Sequence, residues 1–386
     1  MPDSALSQHP AVELARALIT CDSTNPDLSP GGAGEGAVAE LIAARLRAAG
    51  LEVEVVEVRP GRPNVIGRLR GRGGGPTLML WGHTDVVSAE PDGFRPRIED
   101  GRLYGRGSVD MKGGLAAAIV AVETLASGPP LAGDVLVAAV IDEEWVSLGA
   151  ESLVQTHRAD GAILAEQSDL ELVVEHGGFA WFEVTSEGVE AAGIDPDRGV
   201  DAITLLAPVL QGIAALDGEL ATRPAPAYGR PSVHASTISG GSQFPAYPVS
   251  CALGIERCTV AGETVDDAQA EVDALLQSAR TADPRFTATT KLVVGREPVK
   301  LDSAGPLVQA LEAEITNHRG APPRHLGDIG WADSGLLVEA GIPCVIFGPT
   351  GGGCHTAAEY VEVDSLVACA EIIEAAARSF CGVAGS

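Results

Sequence analysis

Basic residues are scarce in this sequence. Its 386 residues include 53 Asp and Glu but 26 Lys and Arg, which gives a formal net charge of −27. A surface with this excess of negative charge repels phosphate backbones and anionic lipids. We therefore expect neither a nucleic acid nor a membrane as a partner.

Long apolar runs and paired cysteines are also missing. No uninterrupted apolar run reaches the roughly 18 residues that span a bilayer, and residues 1–6 lack the cationic start of a secretion signal. The seven cysteines include no C-x-x-C pair, which favours reduced thiols over a disulfide framework and disfavours a cysteine metal site. These absences predict a cytoplasmic protein.

The residues that are present form an α/β pattern. Apolar residues make up 45% of the chain and charged residues 20%, a balance typical of a globular protein with a large core. The first predicted elements are helices 11–19 and 37–49, strands 51–57, 64–70 and 77–82, helix 114–126 and strand 134–141. This alternation predicts a mainly parallel sheet flanked by helices.

The pattern changes after residue 177 and changes back near residue 296. The predicted elements between these points are a strand from 179, helix 200–216, strands 233–240 and 249–260, helix 264–281 and strand 286–294. Their β-α-β-β-α-β order is typical of a ferredoxin-like α+β unit. We predict an inserted domain, 178–295, within a larger α/β domain formed by 1–177 and 296–386.

Several polar side chains follow predicted strands. His83 and Asp85 follow one strand, Glu143 and Glu144 follow another, and Asp110 lies in a glycine-rich turn before a helix. Each also has a purely structural interpretation, because a His near an Asp is more often structural and a run of acids is often a solvated loop. Ligands of α/β sheets gather beyond the carboxyl ends of strands, however, which favours a functional site.

The glycine-rich turn, residues 101–114, has a phosphate loop as its rival interpretation, but neither the G-x-x-x-x-G-K-[ST] nor the G-x-G-x-x-G spacing is present. Two more strand ends add a carboxylate and an imidazole. The resulting candidate ligands are His83, Asp110, Glu144, Glu166 and His355. Imidazole with carboxylate suits Zn²⁺, Co²⁺ or Mn²⁺ better than Ca²⁺ or Mg²⁺. With Asp110 as a bridge, this set predicts a two-metal hydrolytic site.

The segments GHTDVV, GRLYGRGSVDMKGG, DEEW, AEQSD and GCHTAAEYV, in this order and spacing, resemble the acetylornithine deacetylase, succinyl-diaminopimelate desuccinylase, glutamate carboxypeptidase and aminoacylase family of co-catalytic zinc peptidases. The resemblance covers nearly the whole chain. It implies a zinc-peptidase catalytic domain, an inserted dimerisation or lid domain, and a homodimer formed through that insert.

The resemblance also implies roles for individual residues. One metal ion would be held by His83, Glu144 and Asp110, and the other by His355, Glu166 and Asp110. Glu143 falls at the position of the general base, which takes a proton from water and delivers it to the leaving nitrogen. Asp85 falls at the position that supports His83.

Substrate contacts are implied less specifically. Arg257 falls where relatives hold a substrate carboxylate, a task that suits a guanidinium fork. The loop containing Gly351 and Gly352 is a further candidate contact. His234 is another, although a lone strand histidine is more often structural.

Two positions depart from the family pattern. Ala192 stands where relatives carry a histidine that stabilises the carbonyl oxyanion in the partner subunit's site, and Pro245 stands where many carry a substrate-binding asparagine. Losing one oxyanion donor typically lowers kcat by about 100- to 1000-fold. Three explanations fit Ala192: a replacement made to trap a substrate, a natural loss with altered chemistry, or a protein that binds without cleaving.

These features together predict a metal-dependent amidohydrolase. We expect it to bind two divalent ions, Zn²⁺ first with Co²⁺ or Mn²⁺ as alternatives, and to cleave the amide of a small N-acyl amino acid or dipeptide-like metabolite. Ala192 predicts impaired activity of this sequence. The alternatives are a metal-containing binding protein or pseudoenzyme, and a relative with altered amide chemistry.

Overall fold

The computed structural model describes residues 6–328 and 330–384 and contains two compact units. The first comprises the described residues of Met1–Val174, Leu301–Leu326 and Leu336–Ser386, and the second those of Glu175–Lys300 and Gly327–Gly335. The predicted insert, 178–295, falls inside the second unit. Its assignment as a separate domain stays a prediction.

The helices of the described residues are α1 Pro10–Thr20, α2 Gly36–Ala48, α3 Lys112–Ser127, α4 Leu148–Thr156, α5 Ala202–Leu205, α6 Ala207–Leu220, α7 Val265–Ala282, α8 Pro306–Arg319, α9 Ser334–Glu339 and α10 Val363–Cys381. A single turn of 3₁₀ helix spans Pro91–Phe94. The first nine strands are β1 Glu52–Arg59, β2 Arg62–Leu69, β3 Leu78–His83, β4 Arg97–Glu99, β5 Arg102–Tyr104, β6 Val135–Val140, β7 Gly161–Leu164, β8 Leu172–His176 and β9 Gly178–Glu187. The others are β10 Ser232–Gly240, β11 Ser250–Thr259, β12 Thr287–Arg296, β13 Val299–Lys300, β14 His325–Asp328, β15 Cys344–Ile346, β16 Gly351–Gly352 and β17 Tyr360–Glu362.

The first unit is built on a mixed sheet with strand order β1-β2-β6-β3-β7-β15-β8. Its centre is parallel, because β3 pairs in parallel with β6 and β7, and β7 with β15. The flanking pairs β1/β2, β2/β6 and β15/β8 are antiparallel. Every residue of β3, β6 and β7 is buried, as expected of strands covered on both faces. The predicted α/β class is confirmed.

Helices cover this sheet along their apolar faces. α3 packs on β3 and β6, and α1 and α10 pack on α3 in turn. The middle helix of this stack is buried almost along its whole length, from Lys112 to Val122. Since α3 follows Asp110 directly, burial of the helix fixes the position from which that carboxylate projects.

The second unit is a four-stranded antiparallel sheet with order β10-β11-β9-β12. Helices α6 and α7 pack on it and enclose a core that includes Phe182, Ile213, Leu253 and Leu276. The chain order β-α-β-β-α-β with this strand order is the ferredoxin-like arrangement. The prediction for the insert's fold class is therefore confirmed.

One helical stretch of the described chain, Ala202–Leu220, is long and apolar enough to cross a membrane by length and composition, with a mean hydropathy of 1.3. Its buried residues Val209, Ile213 and Leu216 pack in the core of the second unit. A helix that packs on a sheet passes the same test, so this stretch is weak evidence for a membrane span. The absence of a membrane partner stays a prediction.

Candidate metal centre

The site begins at the carboxyl ends of three parallel strands of the first unit. β3 ends at His83, β6 leads into Glu143 and Glu144, and β7 leads into Glu166. In the parallel registers, His83 lies opposite Val140 of β6. Because the carboxyl ends of parallel strands meet at one edge of a sheet, residues far apart along the chain converge here.

Asp110 lies between the two imidazoles. Its Oδ1 is 3.0 Å from Nε2 of His83, and its Oδ2 is 3.0 Å from Nε2 of His355. A carboxylate that faces one imidazole with each oxygen has the geometry of a bridging ligand. The predicted bridging position of Asp110 fits this arrangement.

The two remaining carboxylates each approach one imidazole. Oε1 of Glu166 is 3.2 Å from Nε2 of His83, and Oε2 of Glu144 is 3.1 Å from Nε2 of His355. Glu144 also belongs to a group with His83 and Asp110 whose ligand atoms lie within 4.8 Å of one another. The shortest contacts therefore divide the carboxylates in the opposite way from the expected pairing. Strand order gives no reason to prefer either pairing, because β3 lies between β6 and β7 and His83 is next to both.

The electrostatics of this cluster favour a cation. Burial, and then the negative charge of Asp110, raise the pKa of Glu166 to about 7. Burial opposes ionisation of Asp110 as well, but hydrogen bonds from His355 and His83 hold its pKa well below the usual range. The hydrogen bond to Asp110, followed by those to Cys354 and Glu144, raises the pKa of His355 to about 12. Crowded carboxylates that favour positive charge between them suit divalent ions, so the residues present fit a metal pair.

The carboxylate of Asp85 supports the site through the backbone. Its Oδ1 accepts the N–H of Glu143 at 3.1 Å, and its Oδ2 accepts the N–H of Glu144 at 3.2 Å. His83 Nδ1 instead lies 3.0 Å from the main-chain oxygen of Asp85 and 3.6 Å from its carboxylate. Asp85 thus contacts His83 mainly through its carbonyl group, while its side chain holds the loop that carries two acids.

A buried polar network continues behind this loop. The guanidinium of Arg62, 6% exposed, donates to both oxygens of Glu35 at 2.7 Å and to Oδ1 of Asp142 at 3.0 Å. Asn25 donates from Nδ2 to Asp142 at 3.0 Å and to Asp85 at 2.8 Å. Asp142 takes a positive φ of 71° immediately before Glu143. The network fixes this uncommon conformation, and no pattern in the sequence indicates it.

A second support, also not identified from the sequence, holds the loop of Asp110. Glu359, 2% exposed, accepts the N–H of Val109 at 3.1 Å and of Asp110 at 3.3 Å on its Oε1. Its other oxygen pairs with the buried guanidinium of Arg106. The only sequence signal was the position of Glu359 four residues after His355, at the end of the HTAAE segment.

Glu143 borders the ligand cluster. Its Oε2 lies 3.8 Å from Nε2 of His83, and its side chain is 20% exposed. A carboxylate beside the ligands and open to solvent can exchange protons with a water at the site, as a general base must. Its role stays a prediction.

The substrate contacts expected from the sequence have other partners in the structure. Arg257 is 1% exposed and donates to Glu263 at 2.7 Å and to Glu271 at 2.8 Å. His234 is exposed, with Nε2 at 3.5 Å from Glu256. A substrate carboxylate would have to compete with two glutamates for Arg257, and the substrate roles of both residues stay predictions.

The glycines of the expected substrate loop have a packing reason. Gly351 and Gly352 form β16 and pair with Val361 and Tyr360. A Cβ on Gly351 would lie 2.4 Å from the carbonyl oxygen of Tyr360, a distance that the backbone could not accept without moving. Close packing alone therefore accounts for Gly351, and a substrate contact there stays a prediction.

The two departures from the family pattern are neighbours within the second unit. Ala192 forms an isolated antiparallel bridge with Ala246, and the N–H of Gly193 donates to the carbonyl of Pro245 at 2.8 Å. The segments that carry Ala192 and Pro245 are thus hydrogen-bonded to each other. The two positions therefore lie in one local structure.

An α/β unit whose strand ends gather two imidazoles and four carboxylates defines a class of metal-dependent hydrolases. The sequence profile described as peptidase family M20/M25/M40 matches residues 79–379. The chain belongs to this family, whose members act on amide bonds with bound metal ions.

Individual relatives agree with this assignment. The chain is 28% identical to N-formyl-4-amino-5-aminomethyl-2-methylpyrimidine deformylase of Bacillus subtilis, over 94% of this chain and 92% of that protein. It is 30% identical to succinyl-diaminopimelate desuccinylase of Xanthomonas euvesicatoria, over 91% and 94%. The fold is also similar to the solved structure of the YXEP protein of Bacillus subtilis, which is described as a dinuclear metal-binding peptidase of the M20 family. The two structures superpose with a TM-score of 0.71 at 17% identity, and the match covers 98% of this chain and 99% of that one.

Proposed function

We propose that this chain is a two-metal amidohydrolase that cleaves the amide bond of a small N-acyl amino acid or dipeptide-like metabolite. One observation carries the proposal: Asp110 faces His83 with one oxygen and His355 with the other, each at 3.0 Å. A carboxylate placed between two imidazoles can bridge a co-catalytic pair of ions. The activities named for the two relatives are also removals of an acyl group from nitrogen.

The residues would divide the work as follows. His83 with Glu166, and His355 with Glu144, would each hold one ion, and Asp110 would hold both. Bound divalent ions supply a Lewis acid and lower the pKa of water towards neutrality. Glu143 accepts a proton from the attacking water and delivers it to the departing amine. Asp85 keeps Glu143 at the site by accepting its backbone N–H at 3.1 Å.

The test is a hydrolysis assay on protein whose metal content is known. Chain loaded with Zn²⁺, and separately with Co²⁺ or Mn²⁺, is incubated with a panel of N-acyl amino acids and dipeptides, and released amine is measured. We expect slow turnover that Glu143→Gln abolishes while metal stoichiometry stays at two. No amine release above the Glu143→Gln level on any substrate would contradict the proposal.

A metal-containing binding protein is the second candidate, and Ala192 favours it. A methyl group cannot donate a hydrogen bond to an oxyanion, and the neighbouring Pro245 also lacks the amide donors of an asparagine side chain. Mass spectrometry of small molecules released from protein purified under native conditions separates the two functions. Retention of an intact amide, without turnover, would support binding.

The remaining proposals concern metal, assembly and location. Zn²⁺ is the proposed native metal because the ligands combine imidazole with carboxylate. A homodimer is proposed through the insert, where β10 is the edge strand of its sheet and is exposed from His234 to Gly240. Light scattering of the purified chain tests the dimer, and cell fractionation tests the proposed cytoplasmic location.

A further inference from the structure

A thiol lies among the metal-ligand atoms. Sγ of Cys354 donates to Oδ2 of Asp110 at 2.9 Å, and the imidazole Nε2 of His355 is 3.0 Å from the same oxygen. Within residues 6–328 and 330–384, Asp110, Cys354 and His355 form a group whose ligand atoms all lie within 4.8 Å of one another. Three chemically different donors, a carboxylate, a thiol and an imidazole, therefore converge on one point.

The local backbone explains how two consecutive residues reach the same point. In an extended chain, neighbouring side chains point to opposite faces. Here Gly353 has φ of 71° and His355 has φ of 60°, so the chain turns sharply on both sides of Cys354. A positive φ is uncommon for a histidine and persists only where the surroundings hold it. The turn brings the thiol and the imidazole to Asp110 together.

Of the seven cysteines, Cys354 is the one that belongs to such a group among the described residues. Cys251, Cys344, Cys369 and Cys381 are buried. Cys258, half-buried like Cys354, pairs its backbone with β9 in the second unit and joins no ligand group within the described part of the chain. It is therefore a matched control for Cys354.

We infer that Cys354 is a thiolate ligand of the ion held by His355 and Asp110. The inference rests on the proposed metal centre and adds a sulfur donor to one half of it. On binding, the thiol proton passes to solvent and the sulfur takes a coordination position next to Asp110. This inference differs from the expectation from the sequence, which disfavours a cysteine metal site.

A sulfur ligand has two chemical consequences. Thiolate is a soft donor, so the His355 half of the centre selects Zn²⁺ or Co²⁺ over Mn²⁺ or Mg²⁺ more strongly than nitrogen and oxygen ligands alone would. It also fills a position that a catalytic zinc usually keeps open. Among residues 6–328 and 330–384, no cysteine belongs to the ligand group that contains His83, which makes the two halves chemically unequal.

X-ray absorption at the zinc edge of the fully loaded chain tests this inference. Zinc–sulfur bonds are about 2.3 Å long and zinc–nitrogen or zinc–oxygen bonds about 2.0–2.1 Å. We expect one sulfur for every two zinc ions in the unmodified chain and in Cys258→Ser, and none in Cys354→Ser. A sulfur contribution that is absent from the unmodified chain, or that persists in Cys354→Ser, overturns the inference.

A second measurement uses the unmodified chain, so it does not depend on how Cys354→Ser folds. Alkylation by iodoacetamide is followed at each cysteine by peptide mapping, with and without Zn²⁺. We expect zinc to slow alkylation of Cys354 by at least tenfold and to leave Cys258 unchanged; equal rates at Cys354 overturn the inference. Two zinc ions bound without sulfur would refute this inference alone, whereas failure to bind zinc would refute the proposed metal centre as well.

Discussion

The carboxylate of Asp85 accepts the backbone N–H of Glu143 at 3.1 Å, with the rest of the carboxylate occupied by the N–H of Glu144 and the amide of Asn25. One buried side chain therefore fixes two consecutive acids that follow β6. Burial opposes its ionisation, but the nearby imidazole of His83 and the hydrogen bond from Asn25 keep the pKa of Asp85 lowered. The proposed base and a proposed ligand share this one support.

The variant Asp85→Asn should show whether Asp85 supports the loop of Glu143 and Glu144 or only stabilises the fold. The amide keeps the size of the carboxylate but presents N–H groups to partners that are themselves donors, so the loop of Glu143 and Glu144 loses an acceptor. Loss of a residue that orients metal ligands costs about 10- to 100-fold in activity or metal affinity. We expect a lower kcat and weaker zinc binding, measured by chelator competition, with little change in KM.

The matched control for that variant is Asp134→Asn. Asp134 also accepts a backbone N–H, from Gly71 at 2.7 Å, and pairs with Arg68. It lies outside the ligand cluster, so zinc affinity should stay unchanged. An equal loss of zinc affinity in both variants would mean that Asp85 affects zinc binding only by stabilising the folded protein.

Glu359→Gln should loosen the loop of Asp110. The substitution leaves Arg106, 6% exposed, without its carboxylate partner. Breaking one half of a buried ion pair typically costs about 3 kcal/mol or more. We expect a lower denaturant midpoint of unfolding for the metal-free protein and weaker zinc binding.

Glu362→Gln provides the comparison for Glu359→Gln three residues along the chain. Glu362 pairs with Arg102 at 3.7 Å and is 36% exposed, so its ion pair is worth about 0–1 kcal/mol. We expect a midpoint close to that of the unmodified chain. Equal destabilisation by the two substitutions would argue against a special role of Glu359.

Metal removal should destabilise the first unit. Without ions, like negative charges repel one another in a partly buried cluster formed by Asp110, Glu144 and Glu166. Burial and the negative charge of Asp110 raise the pKa of Glu166 to about 7. Binding at a concentration 1000 times Kd stabilises the folded state by about 4 kcal/mol. EDTA should therefore lower the midpoint of thermal unfolding, and Zn²⁺ should restore it. A midpoint of thermal unfolding that changes with neither EDTA nor Zn²⁺ would contradict a metal centre.

A separate prediction concerns pH and the second unit. Burial lowers the pKa of His176 from its ordinary value of 6.5, against the opposing hydrogen bond to Gly177. The unfolded chain therefore binds more protons than the folded chain below pH 6.5, and stability falls as pH drops through that value. His176→Gln should weaken this loss. Thermal unfolding across this pH range, followed by circular dichroism, checks the prediction, and an equal loss of stability in His176→Gln would contradict it.

Much of the fold could be predicted because its signals are local. The strand Leu78–His83 is apolar except for its last residue, the polar His83. The apolar run indicates the strand, and the histidine at its end indicates the candidate metal site. Elements without a repeating pattern were not predicted. β4, β5 and β17 have three residues each, and β16 has two, too few to show the alternation on which strand prediction depends.

The candidate ligands could be identified for the same reason, whereas the residues that hold them in place, apart from Asp85, could not. Arg62 contacts Glu35 and Asp142 across separations of 27 and 80 residues, and no spacing rule connects them. The approach of Glu166 to His83 rather than to His355 also depends on side-chain direction at neighbouring strand ends. Such contacts are decided by packing in three dimensions, which leaves no periodic trace in the sequence.

Ala192→His tests whether this chain has lost a working catalytic group. An imidazole donor at the position that the family resemblance implies for oxyanion stabilisation should raise kcat by about 100- to 1000-fold. Because the histidine stabilises a charge present only in the transition state, KM should change far less than kcat. The assay measures amine release from the same panel of N-acyl amino acids, including those that the unmodified chain hydrolyses most slowly.

Ala191→His is the matched control, since Ala191 is the neighbouring residue and its carbonyl accepts the N–H of Tyr247 at 2.9 Å. It adds the same side chain one position away and should leave kcat unchanged. Adding Glu143→Gln to Ala192→His should abolish the gain, because a better oxyanion donor cannot replace the proton acceptor. If neither the unmodified chain nor Ala192→His releases amine above the Glu143→Gln level on any substrate while two zinc ions remain bound, the result supports the second candidate function, binding without cleavage.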